Sequence, residues 1–295
     1  MSLRIGVDLG GTNLRVALVQ EDGKIVRDLE RKTKAEKGPE YIIGMMVEMI
    51  RDIKGREFVK GVGIGCPGPL DPRKGIIYNP PNLPGWNSIP LASVLEKSLS
   101  EQVRVDNDAN AAALAEAKFG AGVGAESVYY ITVSTGIGGG FVLDGSLFQG
   151  AAGYAGEIGN MIILPGGPTH NSLNAGALES LASGTAIGMA GRKAGIAEGA
   201  EEVFRLASIG DITAQGIIND AINYLSIGIA NLVHSINPSI FVLGGGVMKS
   251  ERQVLDPLKE KVKSYVYPRL RDTITIVPAS LGSKTGVIGA AFLIN

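Results

Sequence analysis

The sequence predicts a duplicated α/β protein in which mixed sheets are flanked by helices. Three observations lead there. Residues Arg4 to Val19 alternate as a strand, turn at Gly10-Gly11 and alternate again, the pattern of a β-hairpin. Residues Ser127 to Leu143 repeat that plan around a Ser/Thr-Gly-rich turn, so a similar hairpin opens each half. After each hairpin, strand-like and helix-like stretches alternate, as expected for sheets covered by helices. The 295 residues allow one large domain or two of ordinary size. Two are expected, a smaller N-terminal one at 1–107 with 284–295 and a larger one at 108–283.

The first half opens with three strands. Glu40 to Ile53 then carries the apolar spacing of an amphipathic helix, and Val59 to Ile64 reads as a strand. The Pro- and Gly-rich stretch from Gly65 to Trp86 is loop, with Ile76 to Tyr78 a short strand inside it. Leu91 to Leu99 reads as a helix, and Val103 and Val105 mark a strand that enters an alanine-rich helix stopped by Gly120. In the second half a loop-rich stretch from Gly150 to Gly176 follows the glycine hairpin, then helices around Leu178 to Ala182 and Thr185 to Lys193. A long helix from Thr213 to Ile236 ends at Asn237-Pro238, because proline pushes the preceding residue out of the α region. A buried strand from Ile240 runs into Gly244-Gly245-Gly246. A helix from Arg252 to Tyr265, a strand from Ile274 to Val277 and a helix from Gly286 to Leu293 complete the chain.

Composition narrows the function. The net charge is -1, from 28 Lys+Arg and 29 Asp+Glu, and no basic run exists, so neither nucleic acid nor an anionic membrane is an expected partner. No run of about 18 apolar residues occurs, and MSLRIGVDLGG lacks the apolar core of a signal peptide. A cytoplasmic location is expected. The single cysteine, Cys66, excludes an internal disulfide and a cysteine-rich zinc site and reads as a small buried hydrophobe. His234 and Trp86 read as packing residues.

Two familiar nucleotide motifs fail in context. Gly63, Gly65 and Gly68 match G-x-G-x-x-G, yet Pro67, Pro69 and Pro72 leave no helix to receive a pyrophosphate. Gly282-Ser283-Lys284-Thr285 lacks the glycine that the Walker A pattern needs before its lysine. The hairpin turns offer another cradle, since glycines expose backbone N–H groups to an anion. In the first turn these are Gly10 and Gly11, joined by Thr12 and Asn13, with Asp8 placed to hold a metal through water. In the second they are Ser134, Thr135, Gly136, Gly138, Gly139 and Gly140. Gly244 and Gly245 end a third strand where a flat backbone could lie against a base or ribose. One such turn is equally an ordinary hairpin; three point to a bound nucleotide.

A second set of residues suits a polyol. Asn82, Asn107, Asp108, Glu157, Asn160 and Glu179 lie in loops or at helix starts, where carboxylates accept hydroxyl donors and amides both donate and accept. Asp108 could take a proton from a hydroxyl. Helix capping at Asn107-Asp108 and dipole complementation at Glu179 are the competing explanations.

Together these residues resemble the ROK family of sugar kinases and sugar-responsive regulators, near its bacterial glucokinases, over essentially the whole chain. The motifs are Asp8-Leu9-Gly10-Gly11-Thr12, Gly65-Cys66-Pro67-Gly68, Asn82-Leu83-Pro84-Gly85-Trp86, Asn107-Asp108-Ala109-Asn110, Thr135-Gly136-Ile137-Gly138-Gly139-Gly140 and Gly156-Glu157-Ile158-Gly159. The resemblance implies a two-lobed, duplicated ribonuclease H-like fold of the actin and hexokinase type with an interlobe active-site cleft. It implies ATP and Mg2+ as cofactors, Asp108 as general base, and a hexose held by Gly68, Asn82, Asn107, Asp108, Glu157 and Glu179. Glucose is the expected substrate; fructose, mannose, allose, an N-acetylhexosamine, or polyphosphate as donor are the alternatives. A homodimer or larger homo-oligomer is also implied. A regulator of this family would carry a DNA-binding segment before the sugar domain, whereas this chain starts with its phosphate hairpin. An actin-like ATPase would have no use for the polyol set. The family usually has a zinc-ligating histidine where this chain has Asn160, and three cysteines where it has His170, Ser172 and Ala177. One ligand of four cannot close a tetrahedral site, so zinc is expected to be absent, and Asn160 is left to contact the sugar.

Overall fold

Alternation of side chains builds the first sheet. In the computed structural model, which describes residues 2–294, β1 (Leu3–Leu9) pairs antiparallel with β2 (Asn13–Gln20), and β2 with β3 (Ile25–Lys32). Helix α1 (Gly38–Lys54) follows, with proline in its first turn, where a missing N–H leaves no bond unmade. Then come β4 (Val62–Cys66), a small hairpin of β5 (Leu70–Asp71) and β6 (Ile76–Ile77), helix α2 (Leu91–Leu99), β7 (Val103–Asn107) and helix α3 (Asp108–Phe119). The sheet order is β3-β2-β1-β4-β7, with β4 parallel to β1 and to β7.

The second half repeats this plan. It runs through β8 (Ser127–Val133), β9 (Ile137–Leu143), β10 (Ser146–Leu147), helices α4 (Leu178–Ala182), α5 (Gly184–Lys193), α6 (Ala200–Ser208) and α7 (Ile212–Ser235). Strand β11 (Ile240–Gly244), α8 (Glu251–Lys263), β12 (Ile276–Pro278) and α9 (Thr285–Ala291) end it. The order β10-β9-β8-β11-β12 matches the first sheet strand for strand, and β11 is parallel to both β8 and β12. The duplication read from two hairpins thus extends to five strands. The chain divides into two units: Met1–Val123, Gly140–Ala155 and Ser280–Asn295 form one, Gly124–Gly139 and Gly156–Ala279 the other.

In the first unit, Ile5, Val7 and Leu9 of β1, Val16 and Leu18 of β2 and Ile64 of β4 point to one face and pack with Met46, Met49 and Ile50 of α1 and with Trp86, all fully buried. Trp86 is therefore a packing residue. The opposite face carries glycine because a helix backbone lies on it. A Cβ on Gly6 would strike the carbonyl of Val287, and one on Gly63 that of Ala290, both in α9. Close packing against α9 thus explains Gly63, the first glycine of the apparent dinucleotide motif. Cys66 is buried, and burial, then Asp108, Asp106 and Asp8, push its thiol well above the ordinary range, so it remains protonated.

Three local expectations change. Strand β4 starts at Val62, not Val59. Gly138, Gly139 and Gly140 lie inside β9 rather than in its turn, because a Cβ on Gly139 would meet the Gly156 carbonyl at 2.9 Å and one on Gly140 the Ala109 carbonyl at 3.0 Å. Helix α6 was not expected at all. Among the described residues no helix is long and apolar enough to cross a membrane.

Candidate functional site

In the first unit the site residues gather where β7 enters α3. Asn107 is the N-cap: its Oδ1 accepts from the Ala109 N–H at 2.8 Å, with extended φ/ψ of -64° and 145°. Asp108 is in the first turn, and its Oδ1 accepts from the same N–H at 2.8 Å. Behind them lies Asp106, 2% exposed. Its Oδ1 accepts from the Asn107 N–H (2.7 Å) and Asn110 Nδ2 (2.8 Å), and its Oδ2 from Gln149 Nε2 (2.5 Å). Burial raises the Asp106 pKa, and the three hydrogen bonds oppose the rise. Gly68 faces this corner, since a Cβ there would stand 3.4 Å from Asn107 Nδ2.

The first hairpin turn is tied down from outside. Gly10 N–H donates to the Asn13 carbonyl (2.9 Å), Thr33 Oγ1 to the Gly10 carbonyl (2.6 Å), and Lys32 Nζ to Asn13 Oδ1 (3.0 Å). Thr12 accepts from the Thr33 N–H through its carbonyl (2.9 Å) and its side chain is exposed. Asn82 backs the turn, and a Cβ on Gly11 would come within 2.9 Å of its Cβ. Asp8 ends β1 below. Burial raises its pKa, Arg15 lowers it and Glu30 raises it. Its half-buried carboxylate is a hard oxygen donor of the kind a hydrated divalent cation takes.

In the second unit, the turn Ser134-Thr135-Gly136 is closed by the Ser134 N–H donating to the Gly136 carbonyl at 2.8 Å. Glu179, in the first turn of α4, reaches over it and accepts from the Ile137 N–H at 2.8 Å. A Cβ on Gly136 would sit 2.5 Å from that carboxylate and would displace it from the turn. Glu179 is therefore a strut as well as a candidate sugar ligand. Glu157 has its pKa raised, first by desolvation and second by Glu179. Asn160 uses its Oδ1 to accept from the Asn174 N–H at 2.7 Å, pinning the loop between them. His170 is beside Asn171 Nδ2 at 3.2 Å, and no group of three or more His, Cys, Asp or Glu among the described residues could hold a metal ion.

The second unit also contains a cavity of about 740 Å³. Ser134, Thr135 and Thr185 line it with hydroxyls, Gly184 with backbone, Phe204 and Val247 with apolar surface, and Arg192, Arg205 and Lys249 with positive charge. Hydroxyls and backbone N–H groups beside an apolar slot suit a nucleotide. Gly246 lines this cavity; Gly244 and Gly245 support it. A Cβ on Gly244 would strike the Tyr130 hydroxyl, and one on Gly245, at φ 93°, the Val133 carbonyl. Of the lining residues missed in sequence, Gly184 and Thr185 belong to α5, Gln253 to α8, and Phe204, with Arg205 and Ser208, to α6. The signal for α6 was the spacing of Val203, Phe204 and Ala207, which share one buried face.

A protein-family model described as the ROK family matches residues 4–295. The chain is 38% identical to a glucokinase of Thermotoga maritima, over 99% of this chain and 96% of that one. A ROK hexokinase structure from Thermus thermophilus superposes with a TM-score of 0.90 at 36% identity, covering 99% and 97% of the two chains. A ROK family glucokinase from Streptomyces griseus, solved with glucose and AMPPNP, gives a TM-score of 0.83 at 30% identity and covers 99% of each.

Proposed function

The chain belongs to the ROK family, and from that premise we propose that it is an ATP-dependent hexose kinase that phosphorylates glucose at its primary hydroxyl. The observation that carries this reading is the S. griseus neighbour, which holds glucose together with a nucleotide analogue on the same fold. Asp108 orients the hydroxyl and accepts its proton, with its helix start held by the Asn107 cap and by Asp106. Because phosphoryl transfer passes through a loose transition state, positioning and charge neutralisation do most of the catalysis. In the first unit Gly68, Asn82 and Asn107 are assigned to sugar recognition, and in the second unit Glu157, Asn160 and Glu179 are side chains of the same polyol-binding type. Gly10 and Ser134 use their own N–H groups to close the two turns, the N–H groups at Gly11, Thr12 and Asn13 and at Thr135 and Gly136 receive phosphates, Gly138 and Gly139 shape β9 beside them, and Gly244 and Gly245 form the floor under the nucleoside. Asp8 holds magnesium through water, and the ion, when bound, neutralises phosphate charge. Asn160 fills the place of a zinc ligand as a hydrogen-bonding latch, so the loop stands without zinc.

The test is ADP release with magnesium and ATP against glucose, fructose, mannose, allose and N-acetylglucosamine, repeated with polyphosphate as donor. Glucose should give the highest kcat/KM, and Asp108→Ala should lower kcat by about a hundred- to ten-thousandfold. Turnover of Asp108→Ala near the parent's would overturn the base assignment; the absence of any sugar-dependent ADP would overturn the kinase. A zinc-selective chelator, with magnesium constant, should leave turnover unchanged.

A further inference from the structure

The first unit has a second cavity, of about 350 Å³, at the beginning of its strands. Arg4 of β1, Arg104 of β7 and Lys118 of α3 line it, together with Asp106, Gln149 and Phe292. Gly6 and Gly63 face α9. Arg4 is two residues before Gly6, and Arg104 pairs in register with Gly63, so alternation sets both arginines on the side bearing α9. None of the three cations has a salt-bridge partner among the described residues. The one carboxylate of the lining is already occupied by neutral donors, namely the Asn107 N–H, Asn110 Nδ2 and Gln149 Nε2.

Arg4 is the telling residue. It is 6% exposed, stacks its guanidinium 4.7 Å from the Phe292 ring centroid and donates from Nε to the Ile294 carbonyl at 3.2 Å. Its Nη1 has no hydrogen-bond partner among the described residues. A buried cationic N–H without an acceptor is costly, and guanidinium groups match the paired oxygens of phosphate. We propose that this cavity is a binding site for a phosphate-bearing anion, held by Arg4, Arg104 and Lys118 and separate from the phosphate turns at Gly10-Gly11 and Ser134–Gly136. The site has room for more than the phosphate itself, and the flat Phe292 side offers an apolar surface to an organic remainder. Occupancy would be felt at Asp106, which supports the start of α3.

Isothermal titration calorimetry on the full chain tests this, at constant ionic strength and with glucose and AMPPNP saturating. Inorganic phosphate and glucose 6-phosphate are the probes, and chloride is the blank. Binding of either probe, weakened about tenfold or more in Arg104→Ala/Lys118→Ala, is the expected result. Both replacements lie toward the surface, so that variant should fold and keep its kcat with glucose. Equal affinity for the two probes identifies free phosphate as the occupant, and tighter binding of the ester identifies an organic phosphate. No heat beyond the chloride blank, or unchanged affinity in the double variant, overturns the site. Neither outcome depends on turnover, so failure of the kinase reading would be seen separately.

Discussion

Asp106 and Glu157 give the residue-scale predictions. Asp106 touches the backbone of Asn107 and the side chains of Asn110 and Gln149, but it is Asp108 that faces outward at the helix start. Gln149→Ala removes one donor from a buried carboxylate and should lower kcat while leaving glucose KM nearly unchanged. A change in KM alone would show that Asp106 shapes sugar binding instead. For Glu157 the sign follows from its raised pKa. The folded state binds its proton more tightly than the unfolded chain, so stability falls as pH rises from the ordinary value of 4.5 through the folded value. Glu157→Gln should remove that decline, and thermal melts of both proteins across this window would check it. Asn107 and Asp108 were legible because a cap is a local pattern. The role of Asn160 was not, since its bond to the Asn174 backbone spans a loop without periodicity.

Among the elements, α3 shows how far a buried charge can organise packing. Glu116 is fully buried, and its carboxylate accepts from the N–H groups of Ala121, Ser280 and Leu281 and from Ser280 Oγ, at 2.9 to 3.3 Å. It joins the end of α3 to the segment that leads into α9. Glu116→Gln turns one acceptor into a donor facing donors and should cost about 2–4 kcal/mol in urea unfolding; a loss within experimental error would show that the amide finds other partners. Sequence periodicity located α1, α2 and α7 to within about two residues because each has a clear apolar face. It failed at α6, whose short amphipathic stretch lies in a polar, glycine-flanked segment. It also placed Gly138 to Gly140 in a turn, since a strand glycine and a turn glycine look alike until the neighbouring backbone is known.

For the molecule as a whole, the proposed sites separate by unit. The cavity proposed for the nucleotide is contained in the second unit, whereas Asp108 and the Gly10-Gly11 turn belong to the first. Hydrogen exchange should therefore show AMPPNP alone protecting α5, α6 and residues 246–250, and glucose alone protecting the start of α3. Protection of α6 by glucose without nucleotide would contradict that assignment. The overall architecture was legible because two hairpins repeat within one chain. The cavity was not, because its walls come from segments far apart in sequence.

The division of the chain also sets an order of assembly. The first unit needs α9, from Thr285–Ala291, to cover the bare faces of Gly6 and Gly63, and α9 follows the whole of the second unit in chain order. On the ribosome the second unit has its whole sequence by Ala279, while the unit that began first waits for its last helix. A nascent chain stopped there would expose an uncovered sheet face to chaperones.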